Sequence, residues 1–174
     1  MPVHFTLEAT DPCGARAGTL SSRRGPVQTP VFMPVATHAA FRSMDTTEAW
    51  ETGSRILLSN TYHLMLRPGG EVFRRMGGIH AMMRWDGLVL TDSGGFQIFS
   101  LPQSREITER GALFRSFHDN SRQLLSPETS IAMQQDIGSD IMMVLDVCVA
   151  STTDEIGTRD AMERTHRWAA RSLA

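Results

Sequence analysis

Four short apolar runs constrain this chain more than anything else in it: Val31-Phe32-Met33-Pro34-Val35, Ile56-Leu57-Leu58, Leu88-Val89-Leu90 and Ile141-Met142-Met143-Val144-Leu145. Continuous apolar runs of this length, bounded by turn residues, are what strands buried on both faces look like. The spacers between them carry helix punctuation. Thr46-Thr47-Glu48 with Gly53 brackets one short helix, and Ser126-Pro127-Glu128 opens another that Gly138 closes. After Asp154 the sequence places Ala161, Thr165, Trp168 and Ala169 on one helical face and Arg164, Arg167 and Arg171 on another, which predicts an amphipathic helix with a basic outer stripe. Strand alternating with helix predicts a parallel α/β sheet with right-handed crossovers.

Two segments break that rhythm. Residues 1–30 are polar, with turn signals at Asp11-Pro12 and Arg24-Gly25-Pro26 between short strand-like pieces, and predict an antiparallel hairpin laid across one end. The stretch between the third and fourth runs is too long for one crossover helix. Within it, Phe114 to Leu125 with Asp119-Asn120 in the middle predicts an inserted hairpin. Residues 31–174 then hold the strands and helices, and 1–174 is read as one domain or one large piece of a domain, since 174 residues suffice to bury a substantial core.

Composition narrows the class further. Hydrophobic residues at 41% and charged residues at 21% exclude disordered and low-complexity chains. A formal net charge of -2 excludes a chain that coats polyanions by net charge alone, so any nucleic-acid contact must come from a local cluster. All 17 basic residues are arginines, which suit bidentate phosphate contacts, although codon bias in a GC-rich genome explains the same pattern. Two cysteines, Cys13 and Cys148, give neither a disulfide framework nor a zinc site, and neither a signal segment nor an 18-residue apolar span is present. The expectation is a cytoplasmic protein without membrane contact.

Chemistry concentrates where the runs end. Ser59-Asn60 follows the second, Thr91-Asp92 the third and Asp146 the fourth. In parallel α/β architectures the carboxyl ends of strands share one face, and that face hosts active sites. Asp after a strand commonly caps the next helix. Two of them, one leading into Ser93-Gly94-Gly95-Phe96-Gln97, point instead to a site in which the glycines admit a ligand to the backbone and Phe96 offers a flat face for stacking. Gly69-Gly70 and Gly77-Gly78 lack nucleotide-loop spacing. The 6 histidines show no H-x-x-x-H pair and read as structural or surface residues, with His63 the one beside a strand end; the 11 methionines read as core filling.

Several longer motifs then stand in order: Val31-Phe32-Met33-Pro34-Val35, Leu58-Ser59-Asn60-Thr61-Tyr62-His63-Leu64 with Leu66-Arg67-Pro68-Gly69, Leu90-Thr91-Asp92-Ser93-Gly94-Gly95-Phe96-Gln97, and Gly138-Ser139-Asp140-Ile141. Together they resemble the amino-terminal half of the bacterial form of tRNA-guanine transglycosylase, over nearly the whole chain. The resemblance implies a TIM-barrel-type (β/α)8 fold, of which about the first half is present. It implies exchange of guanine at the tRNA wobble position for a 7-deazaguanine, such as preQ1 or queuine, on the route to queuosine, through a covalent ribosyl-enzyme. Asp92 resembles the general acid/base and Asp146 the base-recognising aspartate. Phe96 would stack on the ring, Ser93 and Gln97 would line the pocket, and Gly94 and Gly95 would leave room for the ribose.

The same resemblance implies tRNA and a guanine or 7-deazaguanine base as partners, a homodimer in the full-length protein, and a structural zinc whose ligands lie beyond residue 174; no metal ligand falls within the chain. The nucleophile is likewise expected beyond residue 174, so residues 1–174 alone are expected to be inactive. Ala36-Thr37 and Asp146-Val147-Cys148-Val149 depart from the family pattern. Two other readings compete: a non-catalytic tRNA-binding or scaffolding subunit of the same fold, and an unrelated barrel glycosidase using Asp92 and Asp146 as its carboxylate pair, against which the Gly-Gly-Phe element speaks.

Overall fold

A computed structural model of the chain describes residues 3–101 and 105–174. Three strands, β1 (His4–Thr10), β2 (Arg16–Ser22) and β3 (Gly25–Thr29), form an antiparallel meander in the order β1-β2-β3. The sequence predicts a hairpin over 1–30, and the structure adds a third strand because Ser22↔Gly25 closes a second tight turn. The first two residues of that segment lie outside the described ones.

The remaining elements follow as α1 (Thr46–Glu51), β4 (Ile56–Ser59), α2 (Thr61–Leu66), α3 (Gly70–Met76), α4 (Ile79–Met83), β5 (Leu88–Thr91), α5 (Gly95–Ser100), β6 (Arg105–Ile107), β7 (Ala112–Arg115), β8 (Arg122–Leu125), α6 (Pro127–Ile137), β9 (Ile141–Met142) and α7 (Glu155–Ser172). β4, β5 and β9 are parallel neighbours in that order, and Val35 adds a single parallel bridge to Leu58 on the outer side of β4. The architecture is therefore mixed α/β, with an antiparallel unit at the amino end and parallel strands joined by helices.

The first and fourth apolar runs are shorter as strands than the sequence predicts. Only Val35 of 31–35 pairs, through Leu58 N–H donating to Pro34 O at 3.0 Å and Ala36 N–H donating to Leu58 O at 2.8 Å. Pro30 and Pro34 have no N–H to extend the ladder, and Phe32 is 81% exposed. In the fourth run pairing ends after Met142, where Met143 N–H donates to Thr91 O at 3.2 Å and the backbone then turns irregular.

Helix boundaries obey their punctuation. Asp45, rather than the threonines after it, caps α1 by accepting from Glu48 N–H, and Glu48 returns a bond to Asp45 N–H. Ser126 caps α6 with Pro127 in its first turn, and Gly138 ends it at φ 80°. Phe73, Ile79, Trp85 and Ile137 pack with Leu57 and Val89 into one core between sheet and helices. Each such fully buried side chain stabilises the fold by roughly 1.5–3 kcal/mol. On the other side, Val27 of β3 closes over Ile56 and Leu88, which is why the antiparallel unit covers the amino ends of β4 and β5.

The inserted segment forms a three-stranded antiparallel sheet, β6-β7-β8, whose β7–β8 turn contains the expected Asp119-Asn120, with Asn120 at φ 61°. α7 buries Ala161 and Trp168 as its pattern predicts. Its outer arginine stripe is ion-paired: Arg167 grips both oxygens of Glu109, at 2.9 and 3.0 Å, and Arg171 both of Glu128, at 2.7 and 2.8 Å. Among the described residues no helix is long and apolar enough to cross a membrane.

Candidate active site

The carboxyl ends of β4, β5 and β9 deliver their polar residues to one place. A cleft of about 340 Å³ is lined by Asp92, Ser93, Gly94, Phe96, Gln97, Met143, Val144 and Asp146. Six of the seven residues singled out from sequence share this lining, and the seventh, Gly95, sits directly behind it against Asp146.

Asp92 is held from the neighbouring strand end. Its Oδ1 accepts the Thr61 N–H at 2.8 Å, its Oδ2 accepts the amides of Asn60 and, at 3.2 Å, Gln97, and its carbonyl accepts the Thr61 hydroxyl at 2.6 Å. Burial pushes its carboxyl above the ordinary aspartate value, against the pull of these donors. The group is therefore fixed in direction yet biased toward holding a proton.

Asp146 is oriented from both sides. Ser93 Oγ donates to its Oδ1 at 2.9 Å and Cys148 Sγ to its Oδ2 at 3.2 Å. Burial, reinforced by the adjacent carboxylate, pushes the Cys148 thiol up to about 12, so it stays protonated and keeps donating. A carboxylate offers about four lone-pair positions; with one taken on each oxygen, one on each remains for a ligand.

The loop between the two aspartates is shaped by its glycines. Gly94 lies at φ +86°, where a Cβ would stand 2.9 Å from Leu125 Cδ2. Ser93 Oγ accepts the Gly95 N–H at 3.1 Å, and Ser130 Oγ donates to Ser93 O at 2.8 Å. Phe96 projects from this loop and is 61% exposed, with its ring free for contact on the cleft side. Gln97 uses its Nε2 on Asp92 and leaves Oε1 buried without a partner.

His63 lies beside the cleft rather than in its lining. Its ring meets His38 at 5.0 Å, Tyr62 at 5.4 Å and Phe117 at 6.2 Å, and its Nδ1 is a buried atom without a hydrogen-bond partner. Burial, followed by the charge of His38, lowers its pKa. Among the described residues no group of three or more His, Cys, Asp or Glu side chains is arranged to hold a metal ion.

Sequence reasoning missed several participants. Asn60 was visible as the polar end of the second run, but its partnership with Asp92 was not. Gln134 carried no signal at all: fully buried in α6, it accepts from Thr91 Oγ1 at 2.8 Å and Met143 N–H at 2.9 Å while donating to Met143 O at 2.9 Å. It pins the ends of β5 and β9 together directly beneath the cleft.

Comparison with known proteins gives the family of the chain. The sequence model of queuine tRNA-ribosyltransferase matches residues 11–174. Proteins named queuine tRNA-ribosyltransferase are similar to the chain in Symbiobacterium thermophilum, at 49% identity over 100% of this chain and 44% of the relative. Those of Desulforudis audaxviator are 51% identical over 92% and 43%, and those of Caulobacter vibrioides 50% over 97% and 45%. The chain thus spans less than half the length of each of these curated relatives. With a family match over almost its whole length, the chain belongs to the queuine tRNA-ribosyltransferase family.

Proposed function

We propose that these residues form the base-reading and proton-transfer part of an enzyme that exchanges guanine at the tRNA wobble position for a 7-deazaguanine, through a covalent ribosyl-enzyme whose nucleophile is neither Asp92 nor Asp146. The observation that carries the proposal is the single cleft bordered by two aspartates of different character and by the exposed Phe96 ring. In this reading Val35, β4, β5 and β9 are the first four strand positions of a (β/α)8 barrel, residues 1–174 belong to one domain, and the site occupies the carboxyl-end face usual for that fold.

Guanine presents N1–H and its exocyclic amine as adjacent donors. The free positions on Asp146 Oδ1 and Oδ2 accept this pair, a charge-assisted two-point contact that an adenine edge does not match. Phe96 stacks on the ring. Gln97 Oε1, otherwise a costly unpaired acceptor, receives a further donor from the bound base.

When the bond between ribose C1′ and base nitrogen breaks, its electron pair leaves with guanine and the base needs a proton. Asp92, whose carboxyl burial inclines to the acid form, gives it; as carboxylate it then removes the proton from the incoming base before that nitrogen attacks C1′. The nucleophile is released in the same step, so protons and electrons balance over the cycle.

The test is incorporation of labelled guanine into an unmodified tRNA anticodon hairpin by the polypeptide carrying these residues, with guanine binding measured in parallel. Asp92→Ala is expected to lower exchange by 10²- to 10⁴-fold, the usual cost of losing an acid/base group. Asp146→Asn is expected to weaken guanine binding by about 1–3 kcal/mol, because an amide turns a donor toward a donor. Normal turnover in the first variant or an unchanged guanine constant in the second would overturn the assignment.

A further inference from the structure

The inserted sheet carries a charge arrangement that the base site does not use. In the β7–β8 ladder Arg115 stands directly opposite Arg122, and both are exposed. Like charges facing each other across a strand pair are destabilising, and neither guanidinium has an acidic partner among the described residues. Glu106, the acid on β6, is placed by the register opposite Leu113 instead. Arg115 Nη1 donates to Asn120 O at 3.0 Å, which holds the group at the neck of the turn. Arg105 joins them along a cleft of about 390 Å³ lined by Arg105, Glu106, Leu113, Phe114, Arg115 and Arg122. In a chain whose formal charge is -2, this concentration is local.

The position of the turn gives the cluster a direction. Two residues beyond Arg115, in the β7–β8 turn, Phe117 stacks on Tyr62 with centroids 6.4 Å apart and meets His63 at 6.2 Å. Tyr62 and His63 belong to α2, whose first residue, Thr61, binds Asp92. Phe117, 49% exposed, lies outside the lining of the arginine groove but at the end of the same β7–β8 turn, and a basic groove with an exposed ring nearby suits a single-stranded polynucleotide.

Resting on the function proposed above, we propose that Arg115 and Arg122 grip backbone phosphates of the RNA strand whose base enters the Asp92–Asp146 cleft. The occupant is the phosphate chain of a single-stranded loop, and the paired guanidiniums act on affinity for the RNA without touching the base.

Binding of an RNA anticodon hairpin and of free guanine to the chain and to its R115Q/R122Q variant, across a salt series, tests this. The variant is expected to bind the hairpin at least tenfold more weakly, with the slope of log affinity against log salt reduced by about 1.4, the value for two phosphates on a single strand. Guanine affinity should be unchanged and the thermal midpoint equal or higher, because a like-charge pair has been removed. An unchanged hairpin constant or slope overturns the proposal, as does a hairpin that fails to bind the wild type at low salt. So does a parallel loss of guanine affinity, which would show that the arginines act through the fold, or equal competition by polyglutamate, which would show a site for acidic protein. If the hairpin results are as expected but guanine binds neither protein, the surface stands and the base-exchange reading fails.

Discussion

Gly95 lies so close to Asp146 that the site admits no side chain between them: a Cβ on Gly95 would overlap the Asp146 Oδ1 and stand 2.7 Å from its carbonyl oxygen. The glycine is thus a condition for the carboxylate's position. Gly95→Ala is expected to push Asp146 away from Ser93 and cost on the order of 100-fold in base exchange, the scale on which a displacement near 1 Å acts. Guanine titration and exchange kinetics of that variant check this, and wild-type values would show that the loop relaxes freely.

Asp92 makes a prediction about pH. Its folded pKa is raised by burial, so the native state binds more protons than the unfolded one, and stability falls as pH rises through the window above the ordinary aspartate value. Its protonated form therefore contributes fully below about pH 4 and its contribution is lost as the folded group ionises. Comparing wild type with Asp92→Ala by urea unfolding from pH 3 to pH 7 should show the wild-type advantage shrinking with pH. An advantage that grows would mean that the donors from Asn60, Thr61 and Gln97 outweigh desolvation.

Gln134 spans the two strand ends whose residues border the cleft. Gln134→Leu keeps the volume but strips Thr91 Oγ1, both backbone groups of Met143 and Ser130 Oγ of a partner. Thr91 Oγ1 keeps Ser139 Oγ, Met143 N–H keeps Thr91 O and Ser130 Oγ keeps Ser93 O, so Met143 O is the group left stranded, and a loss of about 1–3 kcal/mol in urea unfolding is expected. Guanine binding should weaken as well, since Met143 lines the cleft. A variant as stable as wild type would show that the chain ends of β5 and β9 need no such clamp.

How much of this was legible beforehand depends on whether a residue's partner is near in sequence. Asp92 and Asp146 could be placed on one face because apolar runs ending in polar residues mark carboxyl ends of parallel strands. Caps such as Ser126 and Gly138 were legible because their partners lie within one helical turn. The basic outer stripe of α7 was legible, but its acid partners Glu109 and Glu128 were not, since they come from segments that the periodicity of α7 cannot position. Val31–Val35 was overextended as a strand because apolarity was weighed above the missing N–H groups of Pro30 and Pro34. Gln134 and Asn60 depend on tertiary hydrogen bonds, which leave no periodic trace.

Asp140 ties the antiparallel amino-terminal unit to the parallel strands, and it yields the sharpest stability prediction. Its side chain, 4% exposed, accepts from His80 at 2.9 Å, from Val89 N–H at 2.9 Å and from Arg24 Nε at 3.3 Å. Burial alone would raise its pKa, but the bonds from His80 and Val89 and the charges of His80 and Arg24 overcome that and hold it below the ordinary aspartate value. The unfolded state then binds the extra proton, so this contribution is present above the unfolded value near 4 and is lost as pH falls through the lower folded value. Asp140→Asn retains the shape and one acceptor but weakens every one of these bonds. It is expected to lower the unfolding free energy at pH 7 by about 1–3 kcal/mol, with the deficit narrowing as the pH drops below 4. Urea unfolding of both proteins at pH 7 and pH 3 measures it. A deficit of equal size at both values would mean that the carboxylate's charge contributes nothing and that only its shape matters at the junction of the β2–β3 turn, α4 and β5.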